Sequence, residues 1–504
     1  MKYDIRIINA KILDGTGRKA FSGEMGIKGG RIKKISGSVE GDAKMEIDAK
    51  GHILSPGFID LHTHCAPAET MNYLQQGVTT VVSGNCGFGY GRIGTKILEI
   101  KKAGKNTLGP NFALLAGHNT IRMMVLNRDN RAPSRTELKK MKDILKEDMQ
   151  SGAFGFSTGL AYVPGAYSKT DELIELTNVL RGTRGFYVSH IRNEGAKVVD
   201  SVKEVLKINR ETGVPVHISH HKVCGVKNWG KSRETIALIK KARSKGIDIT
   251  LDQYPYTASC GTIQLLMPTD AGEGSPEDIK NRIMKKRKQI KEAILRKFDN
   301  FYDNDFSRIV FVNCVPKPSL SGKTLADAVT AFGRKMTPDG AAETALDIIH
   351  ANPSHGATMM VSHSMSEEEV EYILQYPETC VASDGWTVPI NSGHPHPRLY
   401  GTFPRVLGYY AREKKIISIE DAVKKMTKLP ADRLCLKDRG VIKEDTWADV
   451  AVWNEKTVID KATFDRPHKY PAGIDYVIVN GRLVLQKGKL AGDFSGVFLQ
   501  RQDK

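Results

Sequence analysis

Two histidines separated by one residue, His62 and His64, close the run Gly57-Phe58-Ile59-Asp60-Leu61. On a strand they point to one face, because strand side chains alternate. Two imidazoles about 7 Å apart on one face can bind a metal ion or a close pair of ions. A lone His-x-His is a weak motif. Here further metal-binding residue types recur, each near the end of an apolar run: Cys86, His190, His220 and Asp384. A thiolate and imidazoles are the donors zinc prefers, and a carboxylate beside the ion can move protons. The chemistry this set predicts is metal-assisted hydrolysis.

Parity along the runs sorts the candidates. In Phe186-Tyr187-Val188-Ser189-His190, Phe186 and Val188 share a face with His190. In Val214 to Lys222, alternation puts Val216, Ile218, His220 and Lys222 on one face and His217, Ser219 and His221 on the other. If the first set faces a barrel interior, His220 is the ligand and Lys222 follows it into the pocket. Gly84 and Gly87 flank Cys86 and suit a close backbone approach. Asp384, in Ala382-Ser383-Asp384-Gly385, is placed to exchange a proton with a metal-activated water and a leaving group.

The elements that must position these residues alternate as short apolar runs and helical stretches from about 55 to 430, the pattern of a parallel α/β fold. Ten strand candidates compete for the eight places of a (β/α)8 barrel: 58–64, 78–86, 111–118, 153–157, 186–191, 214–222, 247–254, 309–314, 358–363 and 379–384. The surplus predicts an insertion at about 268–350, which would act as a lid. Ser134-x-x-Glu137 and Ser366-x-x-Glu369 read as capping boxes. Residues 1–54 and 431–504 are β-rich, with a hairpin turn at Asn480-Gly481, and would pair into a small β-sandwich.

The 504 residues carry a formal charge of +18. Lys280 to Lys297 alone holds nine Lys/Arg against one Glu, with Ile279, Ile283, Ile290, Ile294 and Phe298 at helical spacing. This reads as one amphipathic helix with a solvated basic face. No aromatic interleaving accompanies it, so nucleic-acid binding is not expected. No apolar run is long enough to span a membrane, and the charged N-terminus lacks a leader's apolar core. The expected location is cytoplasmic, with the seven scattered cysteines reduced.

The ordered motifs resemble the amidohydrolase superfamily, and within it the D-aminoacylase (N-acyl-D-amino-acid deacylase) family. They are Pro56-Gly-Phe-Ile-Asp-Leu-His62-Thr-His64, Gln76 to Gly87, Gly117-His118, Ser157 to Gly165, Ser189-His190-Ile-Arg192-Asn-Glu194-Gly195 and Ser219-His220-His-Lys222. Tyr254-Pro-Tyr256-Thr, Ser383-Asp384-Gly385 and His396-Pro-Arg398 to Arg405 complete the set.

The resemblance implies a TIM-like (β/α)8 barrel, a β-sandwich from both termini and an inserted lid. It implies zinc held tightly by Cys86, His190 and His220, and a second, weaker site at His62 and His64 that shares Cys86. Asp384 would be the acid/base, and Lys222, Tyr254 and Arg398 would hold the carboxylate of a small N-acyl amino acid. A cyclic-amide hydrolase and a catalytically silent scaffold are the alternatives. Two departures bear on the substrate. Cys65-Ala66-Pro67 follows His64 where the family has acidic residues, and Cys260 takes the position of a serine that contacts the carboxylate.

Overall fold

Eight parallel strands pair in one order: Phe58–Asp60, Val78–Ser83, Asn111–Gly117, Gly155–Gly159, Phe186–His190, Val216–Ile218, Ile249–Gln253 and Thr379–Val381. The structure, a computed structural model, describes residues 2–67, 70–102, 108–492 and 494–503. The first and last strands meet just beyond their ends. Thr63 bridges Gly385, the Asp384 amide donates to the His62 carbonyl at 2.8 Å, and the His64 amide donates to Gly385 at 2.7 Å. The sheet is thereby a nearly closed barrel.

Its strands are buried on both faces, as a parallel sheet covered by helices requires. Ile59, Val82, Ala113, Leu115, Phe186 and Val188 form the interior cluster. Leu114, Ala116, Tyr187, Val216 and Ile218 pack outward on the helices. The parity reading of Val216-His217-Ile218 is therefore inverted. His217 pairs in register with inward-facing Val188, and its ring lies 6.2 Å from that of Phe186. The strand stops at Ile218, and alternation does not extend to His220.

The two surplus strand candidates, 309–314 and 358–363, belong to a separate antiparallel sheet of Ser259–Thr262, Thr358–Ser362 and Ile309–Cys314. Helices Pro276–Lys285, Arg287–Tyr302, Leu325–Ala331 and Pro338–Ala351 accompany it. Ile283, Ile294, Phe298, Leu346 and Ile349 form a core of their own there. The basic stretch is two helices, not one, with a break at Lys286. Its charges are partly neutralised, since Arg287 and Lys291 both bind Glu343.

Both chain ends build a nine-stranded sheet, in which Val450–Trp453 runs antiparallel to Ile53–Pro56. Asn480 (φ +49°) and Gly481 (φ +74°) form the expected tight turn. Ser134 and Glu137 make a full capping box. Ser366 accepts from the Glu369 amide, but the box is half made. The Glu369 carboxylate instead accepts from Gly230 and Ser232, at the start of the helix Lys231–Arg243. Among the described residues no helix is long and apolar enough to cross a membrane.

Candidate active site

Three non-glycine residues at the barrel mouth have left-handed backbones: Cys86 (φ +52°), His220 (φ +33°) and Asp384 (φ +49°). This conformation is costly for a residue with a Cβ and clusters at functional sites. Each residue follows the end of a strand, and the left-handed turn aims its side chain over the barrel. His220 reaches the site by this turn rather than by alternation. Gly87 (φ +77°) makes the turn after Cys86 possible. A Cβ there would stand 2.1 Å from Asn119 Oδ1.

The turns bring four donors together. Cys86 Sγ lies 3.4 Å from His62 Nε2, 3.6 Å from His190 Nδ1 and 3.5 Å from His220 Nε2. With zinc–sulfur and zinc–nitrogen bonds of about 2.3 and about 2.1 Å at a tetrahedral angle, a thiolate sulfur and an imidazole nitrogen on one ion stand about 3.6 Å apart. The residues therefore fit a zinc-like ion. The expected division into tight and weak sets is not reproduced: donors of His62, Cys86 and His220 lie within 4.8 Å of one another, whereas His190 groups with Glu194 and His220. Donors of His62, His64 and Asp384 form a second group within 4.8 Å of one another.

The remaining ring nitrogens face two carboxylates that motif reading does not single out as site residues, while His62 Nδ1 makes no hydrogen bond among the described residues and His220 Nδ1 also lies 2.8 Å from Lys222 Nζ. Glu194 lies beside two rings, with Oε1 3.0 Å from His220 Nδ1 and Oε2, beyond hydrogen-bond reach, 3.7 Å from His190 Nε2. Asp252 Oδ2 lies 3.4 Å from His62 Nδ1 and 2.8 Å from His217 Nε2, and Oδ1 accepts from the His220 amide at 2.7 Å. Such outer carboxylates fix ring orientation and raise ligand basicity. The parity of Thr250 and Asp252 with inward-facing His217 was available as a signal for Asp252. Glu194 lies in a loop, beyond the reach of periodicity.

Electrostatics follow this arrangement. Burial works against the Cys86 thiolate, but His62 and His220 hold the thiol well below its usual range. Burial likewise opposes ionised Asp384, yet Arg398, His220 and His62 keep its carboxyl well below the carboxylate range. Cys65 behaves differently. Burial pushes its thiol up to about 12, and its sulfur lies 3.1 Å from Thr63 Oγ1, outside the donor groups.

The amidohydrolase family model matches residues 45–283 and 344–485. A D-aminoacylase of Alcaligenes xylosoxydans xylosoxydans is 34% identical over 99% of this chain and 98% of its own length. An N-acyl-D-glutamate deacylase of the same organism is 35% identical over 95% and 93%. The chain belongs to the amidohydrolase family. A solved relative of this amidohydrolase is the N-acyl-D-glutamate deacylase of Bordetella bronchiseptica, complexed with zinc and a phosphonate inhibitor that mimics the tetrahedral intermediate. Its TM-score is 0.83, with 33% identity over 100% of both chains.

Around the donors this amidohydrolase has a cavity of about 400 Å³, lined by His190, His220, Lys222, Tyr254, Cys260 and Asp384 among others. Arg398 packs on Tyr254, its guanidinium carbon 4.5 Å from the ring centre. Its Nη1 lies 2.9 Å from Asp384 Oδ2, but neither Nη1 nor the buried Nε makes a hydrogen bond to any described residue. Lys222 donates to Glu194 at 2.5 Å. Cys260 faces the cavity with its thiol pushed up by burial to about 12, so it enters as a neutral group. His221 turns away to Thr235, 2.9 Å from its Oγ1.

Proposed function

We propose that the chain hydrolyses the amide bond of N-acyl-D-amino acids, giving a carboxylate and a free D-amino acid. The observation that carries the reading is the convergence of three imidazole nitrogens on the Cys86 sulfur beside the Asp384 carboxylate. It is supported by the full-length likeness to D-aminoacylases and N-acyl-D-glutamate deacylases.

In this reading Cys86, His190 and His220 hold one tightly bound zinc, and His62 and His64 contribute to a weaker second site. When bound, zinc polarises a carbonyl oxygen and lowers the pKa of a water toward 7. Asp384, whose Oδ1 is 3.1 Å from His64 Nε2, takes the proton of the attacking water. As the C–N bond breaks, Asp384 returns that proton to the leaving amine, so water adds across the amide with no net proton change at the carboxylate. Arg398, Lys222 and Tyr254 hold the substrate carboxylate. The unpartnered Nε of Arg398 supports this role, since a buried N–H without an acceptor favours a ligand that supplies one.

The test is a hydrolysis screen of N-acetyl D- and L-amino acids alongside hydantoins and dihydropyrimidines, with zinc added and metal content measured. Turnover of the D-series supports the reading. Turnover confined to cyclic amides replaces it with a cyclic-amide hydrolase, and metal binding without any turnover replaces it with a silent scaffold.

A further inference from the structure

The charged groups of the cavity wall do not balance. Its two carboxylates are already engaged: Glu194 by Lys222 and His220, Asp384 by Arg398 and His64. Of its cations, Arg192 is paired with Glu204 at 3.0 Å and Lys222 with Glu194. Arg128 and Lys297 line the same cavity, and among the described residues neither has a carboxylate within 4.0 Å. Lys297, on the helix Arg287–Tyr302, donates to the Leu265 carbonyl at 2.5 Å.

Arg128 has less. Its guanidinium makes no hydrogen bond to any described residue, although its Nε is buried. A guanidinium offers five donors in a rigid fork matched to a carboxylate. Of these only the Nε–H is buried without an acceptor, and leaving it unpaired costs free energy that an incoming anion would recover. The loop that carries Arg128 is pinned from both sides. Arg122 Nη2 donates to the Arg131 carbonyl at 2.9 Å, and the Asn130 amide donates to Glu273 at 3.1 Å. Burial disfavours protonation of His355, and Arg128 is near enough to add to that effect. From His355 a row of rings leads to the donors. His355 stacks on Tyr162 at 6.1 Å, and Tyr162 meets His190 edge-on at 4.7 Å.

We propose that this cavity selects N-acyl amino acids that carry a second carboxylate besides the α-carboxylate, and that Arg128 receives it. The inference rests on the deacylase reading above and narrows its substrate class. The second carboxylate has two chemical sources, the amino-acid side chain or the acyl arm.

Two matched pairs separate the sources: N-acetyl-D-glutamate against N-acetyl-D-glutamine, and N-succinyl-D-leucine against its N-succinamoyl analogue. The zinc-loaded full-length enzyme should prefer the charged member of one pair by about tenfold or more in kcat/KM. Arg128→Met should bring that ratio near one, and Arg128→Lys should restore part of it. Near-unit ratios in both pairs overturn the proposal, as does a ratio that survives Arg128→Met. A ratio that collapses in Lys297→Met and persists in Arg128→Met also overturns it. If Arg128→Met fails to fold, the wild-type ratios and the Arg128→Lys variant still decide. Hydrolysis of neutral members as fast as charged ones removes this inference and leaves the deacylase reading standing. No hydrolysis of any of the four removes both.

Discussion

Arg398 Nη1 lies 2.9 Å from Asp384 Oδ2. The group proposed to grip the substrate carboxylate is therefore ion-paired to the proposed acid/base before substrate arrives. The contact holds Asp384 ionised and aimed at the donors, which ties substrate binding to proton transfer. Arg398→Ala should then raise KM and lower kcat together, and the loss should be larger for N-acetyl amino acids than for their carboxamide analogues. Steady-state kinetics on both series checks this. An equal loss on both would assign Arg398 to Asp384 alone.

Asp384→Asn should keep the metal and lower kcat by roughly 10²- to 10⁴-fold, the usual contribution of a general acid/base. Elemental analysis and turnover on one sample separate the two effects. A variant within threefold of wild type would exclude Asp384 from proton transfer.

The purified protein should carry about one tightly held zinc per chain. A chelator should abolish activity and added zinc should restore it. Cys86→Ala should lose the tight ion, because the three imidazoles converge on that sulfur.

Glu194→Gln should weaken metal affinity by about 10- to 100-fold, the range seen when an outer-shell partner of a ligand is removed. Two rings lose their anionic anchor at once, and Lys222 loses its buried counter-ion. Competition against a zinc chelator measures the shift, and unchanged affinity would make Glu194 a partner of Lys222 only.

Away from the site, buried Glu172 accepts from His118 at 2.9 Å and binds Arg122. Burial would raise its pKa, but His118 and Arg122 bring it below the usual glutamate value. A depressed carboxyl stabilises the fold above its unfolded pKa of about 4.3 and loses that contribution as pH falls through the folded value. Glu172→Gln should therefore lower the urea midpoint most at pH 7, and the gap from wild type should narrow below about pH 4. A gap independent of pH would mean that packing alone is lost.

The strand pattern, the closing hairpin and the residues at the strand ends were legible because apolar alternation and motif order report on both. Phe186, Val188 and His190 obey parity to the last residue. His220 does not. The parity that points to it is one the structure reverses, and it reaches the site through a left-handed turn that no periodicity encodes. Glu194 and Asp252 are not legible as neighbours of the proposed ligands for a related reason. Their roles lie in distances to rings that are remote in sequence, and neither residue type announces such a partner. The sheet Ser259–Thr262, Thr358–Ser362 and Ile309–Cys314 was visible only as a surplus of strands, because hydrophobic pattern does not say which sheet a strand joins.

The barrel closes at the site itself, where the Asp384 amide meets the His62 carbonyl. In order of synthesis, Cys86, His190 and His220 all precede Ser259, where the inserted sheet begins, while Asp384 follows that sheet. The three residues proposed to hold the tight ion thus leave the ribosome before the barrel's last stave is made. A metal present during translation therefore meets the proposed ligands before the barrel can close around them.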